Sequence, residues 1–227
     1  MKVTILGTGY VGLITGVCLA NKGHQVVCVD NNKDIVKKLN SSIPTIYEKG
    51  LDKLLKKVIK NKNFSATENL NKALKDSKIV IVAVGTPTSK NKRSLNFLEK
   101  ACKDIGKFIK VSDKFLSVII KSTVIPGTTD TFVKNILEKE SGKLLGKFGL
   151  GMNPEFLREG NAVQDFDNPD RIIFGYEDNK TLLLLKQLYY PWNVSKISMN
   201  SRSAELVKYS NNVLFASQIS IINELAN

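Results

Sequence analysis

The feature that most constrains the fold of this chain is a glycine-rich turn near its amino terminus. The apolar run Val3 to Leu6 breaks into Gly7-x-Gly9-x-x-Gly12, and an apolar helical stretch follows at once. A strand, a glycine turn and a helix in immediate succession are what a pyrophosphate site needs. The glycines allow a tight turn, a close approach of the backbone to phosphate and close packing of helix on strand, while the helix start offers free N–H groups.

A second apolar run ends in an acid at the position where an adenosine ribose would lie. Asp30 closes the run Gln25 to Val29 and stands 18 residues beyond Gly12. Since a carboxylate would repel a 2′-phosphate, this acid favours NAD over NADP. The alternative is a glycine turn with a purely structural role. The residues predicted to bind the dinucleotide in this region are Gly7, Gly9, Tyr10, Val11, Gly12 and Asp30.

Strand-like apolar runs alternate with helical periodicity along the chain. Strands are predicted at Lys2 to Leu6, Gln25 to Asp30, Ile79 to Val84, Phe115 to Lys121, Phe148 to Met152 and Arg171 to Phe174. Helices are predicted at Val11 to Lys22, Lys33 to Leu39, Leu51 to Ile59, Glu68 to Leu74, Leu95 to Ile109 and Thr128 to Glu138. This order predicts an α/β fold with a doubly wound, mostly parallel Rossmann-type sheet.

Pro191 and the polar stretch 200–203 mark the one plausible boundary. We expect residues 1–199 to form the dinucleotide-binding domain and residues 200–227 to begin a long connecting helix, helical from about Ala204. Lys208 and Asn212 are four residues apart and share one face of that helix. Apolar neighbours predict that much of the helix is buried: Leu206, Val207, Val213, Leu214 and Phe215.

Charge and composition narrow the class of ligand. The net charge is +13, but of 34 basic residues only Arg93, Arg158, Arg171 and Arg202 are arginines, and no aromatic residues interleave with them. Scattered lysines form a solvated face and suit small anionic ligands, so no nucleic-acid partner is expected. No apolar stretch reaches membrane-spanning length, and the three cysteines lack metal-site spacing, so we expect no membrane partner, no metal and a reducing cytoplasmic setting.

Polar residues follow three further strands. Thr86 lies in the turn Gly-Thr-Pro-Thr at 85 to 88, Ser122 and Thr123 follow the fourth predicted strand, and Glu155 and its neighbours occupy the loop 153–160. In a doubly wound sheet these strand ends meet at one crevice. Each loop alone is also explained as an ordinary turn, but the set is better explained by one shared ligand.

Together these motifs resemble the UDP-glucose/GDP-mannose dehydrogenase family across essentially the whole chain. The matching segments are Gly7 to Gly12, the turn at 85 to 88, Lys-Ser-Thr-Val at 121 to 124, Asn-Pro-Glu-Phe-Leu-Arg-Glu-Gly at 153 to 160, Asp-Phe-Asp-Asn-Pro-Asp-Arg at 165 to 171, and Ala-Glu-Leu-Val-Lys-Tyr-Ser-Asn-Asn at 204 to 212. Within the family, the segment 168–171 looks more like members that oxidise UDP-glucose than like those acting on GDP-mannose or UDP-N-acetylmannosamine.

The resemblance implies a reaction and roles for individual residues. Family members oxidise the C6 alcohol of the sugar twice with two NAD molecules, through a cysteine-bound thiohemiacetal and thioester, which would give UDP-glucuronate from UDP-glucose. By position, Thr123 and Glu155 would manage a water, and Lys208 and Asn212 would stabilise oxyanions. The remaining implied contacts are Thr86, Ser122 and Glu159 with the cofactor, and Glu155, Phe156, Leu157, Arg158, Lys208 and Asn212 with the substrate.

Two departures from the family pattern qualify this interpretation. Ile35 stands where the family often has a basic residue, so adenosine binding would rely more on Lys33. The family's nucleophilic cysteine lies in a second domain beyond the connecting helix. Cys18 and Cys28 are expected in the core instead, and Cys102 in an apolar helix far along the sheet. We therefore expect this chain to be the NAD-binding half, inactive alone.

Two other functions stay open at this point. One is a non-catalytic NAD-binding module that forms a homodimer through the final helix. The other is an enzyme of the 3-hydroxyacid dehydrogenase type, which also places a lysine and an asparagine on a comparable helix; the loop 153–160 counts against it.

Overall fold

A computed structural model describes residues 1–89 and 92–226, with one large sheet covered by helices on both faces. The strands are β1 (Lys2–Leu6), β2 (Gln25–Val29), β3 (Phe64–Thr67), β4 (Ile79–Val82), β5 (Thr88–Ser89), β6 (Lys92–Arg93), β7 (Ser117–Ile120), β8 (Gly149–Met152), β9 (Arg171–Tyr176) and β10 (Ser195–Met199). The helices are α1 (Tyr10–Asn21), α2 (Lys33–Asn40), α3 (Leu51–Lys60), α4 (Leu70–Leu74), α5 (Asn96–Val111), α6 (Lys134–Ser141), α7 (Ala162–Asp167), α8 (Asn179–Leu188) and α9 (Ser201–Ala226). A π-helical segment, Thr128–Val133, runs directly into α6.

The large sheet has the order β10-β9-β8-β7-β4-β1-β2-β3, and β5 and β6 form a separate antiparallel ribbon. Every pair in the large sheet is parallel except β8 with β9. The carboxyl ends of β1, β2, β4, β7 and β8 therefore lie along one edge. The predicted doubly wound, mostly parallel sheet is confirmed.

Burial on both faces explains why the central strands are continuous apolar runs. All residues of β4 and β7 are buried, and helices cover the sheet on each side. One core lies beneath α1, α3, α7 and α8, and the other beneath α5, α6 and the start of α9. A strand with two covered faces has no polar side, and so its sequence does not alternate.

The strands and helices that sequence periodicity did not predict lie mainly at the margins of the sheet. β3 and β10 are edge strands, and the residues of β10 are half-buried or exposed, so its sequence Ser-Lys-Ile-Ser-Met carries little apolar signal. α7 has six residues, fewer than two full turns. α8 contains four consecutive leucines, which resemble a strand more than a helix until Asp178 is recognised as its N-cap.

The prediction that much of the final helix is buried is wrong. Its first turns pack against the sheet, with Ala204, Glu205 and Lys208 buried, but Leu206 is 52% exposed and the helix leaves the domain after Tyr209. The apolar side chains exposed on α9 are Leu206, Val213, Leu214, Phe215, Ile219, Ile221, Ile222 and Leu225. Within residues 1–89 and 92–226, no helix combines the length and hydropathy needed to cross a membrane.

The glycine turn fixes α1 above β1 through a close backbone contact. A Cβ added at Gly12 would stand 2.0 Å from the carbonyl oxygen of Gly7 and 3.3 Å from the Cβ of Ala83. A Cβ on Gly9 would meet no atom within 4 Å. Gly12 is therefore required by packing, whereas the space beside Gly9 is open.

These two glycines form a matched pair for a stability measurement. Gly12→Ala should lower the free energy of unfolding by about 1–3 kcal/mol, because the clash outweighs the gain of about 1 kcal/mol in helix propensity. Gly9→Ala should stay within about 0.5 kcal/mol of the wild type. Urea unfolding of both variants measures the difference, and equal stabilities would contradict the close contact.

A buried histidine joins the amino terminus to α8. His24 Nδ1 lies 3.2 Å from the Met1 ammonium, and His24 Nε2 lies 2.8 Å from the Leu188 carbonyl oxygen. Burial lowers the pKa of His24; the bond to Leu188 opposes this effect and the charged amino terminus adds to it. The folded state therefore favours the neutral imidazole.

The chain should lose stability as pH falls below about 6.5, the pKa of an unfolded histidine. In that window the unfolded state binds the proton more readily, with a slope of at most about 1.4 kcal/mol per pH unit for one site. The sequence contains 1 histidine, so His24→Gln should flatten this part of the profile. Urea unfolding between pH 5 and 7.5 tests this prediction; an unchanged slope in the variant would contradict it.

Candidate active site

The glycine turn and Asp30 form one wall of a cleft of about 380 Å³ at the carboxyl edge of the sheet. Gly7 adopts a φ of +96°, which side chains disfavour. Asp30 accepts hydrogen bonds from the backbone N–H of Thr8 at 3.2 Å, from the Thr8 hydroxyl, and from the N–H of Asn32 at 3.0 Å. The acid thus holds the glycine turn, a role that the sequence did not reveal.

The loops after β4 and β7 are tied together at the neighbouring strand ends. The Ser122 hydroxyl donates to the Val84 carbonyl oxygen at 2.6 Å, and the Thr86 hydroxyl donates to the Thr123 carbonyl oxygen at 2.9 Å. Ser122 is buried, while Thr86 and Thr123 are half-buried. The structure therefore brings three predicted site residues into one connected edge. The side chain of Thr88, at the end of the same predicted turn, lies outside the described part.

Glu48 connects the glycine turn to the loop 153–160, and the sequence analysis missed it. Its carboxylate accepts a hydrogen bond from the Tyr10 hydroxyl and from the N–H groups of Gly160 at 3.1 Å and Ala162 at 3.0 Å. Burial raises the pKa of Glu48, but these hydrogen bonds outweigh burial and lower the pKa overall. A lone glutamate in the connection between α2 and α3 carries no motif that could have identified it.

Tyr10 begins α1 and faces the exposed Glu159. Burial and the bond to Glu48 raise the pKa of the Tyr10 hydroxyl, and the charge of Glu159 adds to the increase. Val11, also predicted to contact the cofactor, is half-buried in the first turn of α1. The carboxyl end of the loop 153–160 therefore lies beside the first turn of α1.

Glu155 and Lys208 form a nearly buried ion pair. The Lys208 Nζ lies 2.8 Å from Glu155 Oε1, and the two side chains are 8% and 11% exposed. The second carboxylate oxygen accepts the Leu157 N–H at 2.8 Å. The structure therefore joins two residues that are 53 positions apart in the sequence.

The Phe156 ring completes this arrangement. Lys208 Nζ lies 5.5 Å from the ring centroid, and the Arg171 guanidinium carbon lies 5.1 Å from it, distances suited to cation–π attraction. A second cleft of about 150 Å³ opens here. Its charged and aromatic lining includes Lys121, Glu155, Phe156, Arg158, Arg171 and Tyr189.

Of the other residues predicted to contact the substrate, two are exposed and one is half-buried. Arg158 is exposed and pairs with Asp165, its Nε 3.1 Å from Oδ2 and its Nη2 2.7 Å from Oδ1. Leu157 is half-buried and packs on the core. Asn212 lies one turn beyond Lys208 and is exposed. Lys208 therefore adjoins the cleft through its contacts with Glu155 and Phe156, which line it, whereas Asn212 is open to solvent.

Glu205 fixes the start of α9 and hence the position of Lys208. This carboxylate is fully buried and accepts the N–H groups of Gly127 at 2.6 Å and Thr129 at 2.7 Å, at the start of the π-helical segment. Burial raises the pKa of Glu205, against the lowering effect of these hydrogen bonds. No sequence motif identifies Glu205 as an anchor, although it lies one turn before Lys208.

The three cysteines lie in the core, as predicted for Cys18 and Cys28. Cys18, Cys28 and Cys102 are free and fully buried, and none lines either cleft. Burial raises the pKa of each thiol, that of Cys102 to about 12. Such thiols are poor nucleophiles at neutral pH.

Comparison with known proteins agrees with this geometry. Residues 1–193 match the UDP-glucose/GDP-mannose dehydrogenase family, NAD binding domain. The chain is 36% identical over its full length to a UDP-glucose 6-dehydrogenase of Bacillus subtilis and covers 48% of that protein.

Two solved structures extend the comparison. A GDP-mannose dehydrogenase of Pseudomonas aeruginosa, solved as a ternary complex, superposes with a TM-score of 0.96 at 36% identity, over 99% of this chain and 52% of the other. A UDP-glucose dehydrogenase of Pyrobaculum islandicum gives 0.94 at 38% identity, over 98% and 51%.

The chain spans about half the length of the curated relatives that it matches. The family and fold that this chain shares with these dehydrogenases argue against the 3-hydroxyacid dehydrogenase alternative. The glycine turn, Asp30 and the matched region identify NAD as the cofactor. The chain therefore belongs to the UDP-glucose/GDP-mannose dehydrogenase family, whose NAD-binding domain it contains at residues 1–193.

Proposed function

We propose that this chain is the cofactor-binding half of a nucleotide-sugar 6-dehydrogenase that oxidises the C6 hydroxyl of UDP-glucose to a carboxylate. The observation that carries the proposal is the nearly buried pair of Glu155 and Lys208, which lies at the same sheet edge as the NAD site. An acid and an ammonium group held together away from solvent suit proton transfer and oxyanion stabilisation. Residues 1–199 would form the cofactor domain and residues 200–227 the start of the connecting helix.

The residues at the first cleft fit the cofactor. The open space beside Gly9 leaves room for the pyrophosphate at the start of α1, and Asp30 presents a carboxylate toward the ribose side. When bound, NAD accepts a hydride from the alcohol carbon. The proposed contacts are Gly7, Gly9, Tyr10, Val11, Gly12, Asp30, Thr86, Ser122 and Glu159.

The chain's own side chains would handle the protons and the developing charge. Lys208 donates N–H groups to an alkoxide or tetrahedral oxygen, and Asn212, one turn beyond, adds a carboxamide N–H from the open side. Glu155 accepts a proton from a water that Thr123 helps to orient. Phe156, Leu157 and Arg158 form the wall against which the sugar nucleotide packs.

Two observations bear on the protein that contains this chain. The buried cysteines do not line either cleft, so the cysteine-bound intermediates that the family resemblance implies would not form on them. Because they are free thiols, we propose a reducing, cytoplasmic setting.

The preference for UDP-glucose over GDP-mannose rests on the segment 168–171, whose Asn168, Asp170 and Arg171 line the second cleft. A competition assay on a longer form of the protein, with both sugar nucleotides and NAD, tests this preference. We expect NADH to form from UDP-glucose at a rate that added GDP-mannose does not lower. Faster oxidation of GDP-mannose than of UDP-glucose would contradict the assignment.

NAD binding can be measured on the chain itself by calorimetry. Asp30→Ala should weaken NAD binding about tenfold or more, since a charged hydrogen-bond acceptor is lost and Thr8 is released. Asp30→Asn should narrow the preference for NAD over NADP, because the repulsion of a 2′-phosphate disappears. Gly9→Ala should weaken NAD without changing stability. Undiminished NAD binding by Asp30→Ala would refute the cofactor assignment.

We also propose that the chain forms a homodimer through α9. Seven of its exposed large apolar side chains follow residue 212 and have 51% to 78% of their surface accessible, which is unusual for a helix facing only water. The same surface favours the second candidate function, a non-catalytic module that binds NAD and dimerises. Catalytic turnover by the longer protein would exclude that candidate.

Light scattering at increasing concentration tests the proposed dimer. Phe215→Glu combined with Ile222→Glu places two charges on one face of α9 and should reduce self-association strongly. Ser220→Glu, an exposed position on the opposite face of the same helix, should leave it nearly unchanged. A monomeric wild-type chain at high concentration would contradict the proposal.

A further inference from the structure

Lys121 is a buried lysine at the carboxyl end of β7, and no role has been given to it so far. It is 3% exposed and lines the second cleft beside Glu155. Lysines are almost never fully buried unless they are paired. Its position in the cleft therefore calls for a reason other than packing.

The contacts of Lys121 are with neutral groups. Its Nζ donates to the Asn153 carbonyl oxygen at 3.3 Å and to Asn153 Oδ1 at 3.0 Å, and it lies 5.9 Å from the Phe166 ring centroid. Asn153 is itself fixed, because Tyr189 donates to Oδ1 at 2.5 Å and Nδ2 donates to the Ile173 carbonyl oxygen at 2.9 Å. The ammonium is held in place without a carboxylate of its own.

The charged side chains that line the cleft balance one another, and Lys208, which contacts Glu155 from beyond the lining, adds one positive charge. Arg158 pairs with Asp165, and the lining residues Asp170 and Arg171 offset each other, so these four groups contribute no net charge. Two nearly buried ammonium groups remain, on Lys121 and Lys208, against the one carboxylate of Glu155, which Lys208 already contacts.

Burial, more than the neighbouring charges, determines the pKa of Lys121. Burial lowers the pKa of Lys121 to about 8; the negative charge of Glu155 opposes that shift and the positive charge of Lys208 adds to it. One further negative charge in the cleft would, with Glu155, balance the two ammonium groups of Lys121 and Lys208. It would also stabilise the ammonium form of Lys121.

We propose that Lys121 is a second cationic residue of the substrate cleft, which together with Lys208 binds a carboxylate on the ligand. This inference rests on the proposed function, because oxidation of a primary alcohol to an acid leaves a carboxylate at the carbon that enters the cleft. The neutral alcohol leaves the excess charge unmet, whereas the acid meets it. The cleft therefore favours the oxidised sugar over the starting sugar.

The experiment compares glucuronate with glucose, which differ only at C6, in NMR titrations of the chain with 13C-labelled lysine side chains at constant ionic strength. Glucuronate should raise the midpoint of the Lys121 titration above its value in the free chain, and glucose should not. An unchanged midpoint with glucuronate would overturn the proposal, and this arm needs no variant.

Three variants provide the second arm. Lys121→Met should weaken glucuronate binding about tenfold or more, while Lys121→Arg, which keeps the charge, should stay within about threefold of the wild type. Lys143→Met is the matched control, since the half-buried Lys143 Nζ donates to the Ser112 carbonyl oxygen at 2.7 Å and does not line the cleft. Equal glucuronate affinity in Lys121→Met and the wild type would overturn the proposal.

NAD calorimetry on the same samples separates a failure of the proposed function from a failure of the proposed role of Lys121. Failure of the wild type to bind NAD would refute the proposed function, whereas the response of Lys121 to glucuronate is measured without NAD.

Discussion

The first turn of α1 rests on the carbonyl oxygen of Gly7, which lies 2.0 Å from where a Cβ on Gly12 would stand. This contact sets the start of the helix directly over the end of β1, in the middle of a sheet whose neighbouring strands are parallel to β1. The space beside Gly9 stays open, and Asp30 holds the turn by accepting hydrogen bonds from Thr8. A backbone that approaches so closely leaves room for a ligand only because three side chains are missing.

Two buried glutamates then connect distant segments to this frame. Glu48 accepts hydrogen bonds from Tyr10 and from the start of α7, so it holds the loop 153–160 beside the glycine turn. Glu205 accepts two N–H groups at the start of the π-helical segment and so sets α9 against the sheet. Both carboxylates satisfy backbone donors that would be costly to bury alone. The ion pair of Glu155 with Lys208 is the product of these two anchors.

The sequence predicted the central strands of the sheet better than its edge strands or the contacts of its buried charged residues. The glycine turn, Asp30 and the buried runs of β1, β4 and β7 carry strong local signals, since a strand covered on both faces must be apolar. β10 is exposed and carries none. The roles of Glu48, Lys121 and Glu205 depend on partners far away in the chain, which periodicity cannot identify. The long α9 was recognised from its pattern, but the pattern could not say that its apolar face lacks a covering layer within the domain.

We propose that NAD lies along the edge formed by the glycine turn and the ends of β2, β4 and β7. An NMR titration of the 15N-labelled chain with NAD tests this most directly, because it reports on every backbone amide. We expect the largest shifts at Thr8, Gly9, Asp30, Gly85 and Ser122, with the lysine-rich outer face of α3 unchanged. Shifts confined to α3, or no shifts at the glycine turn at saturating NAD, would contradict it.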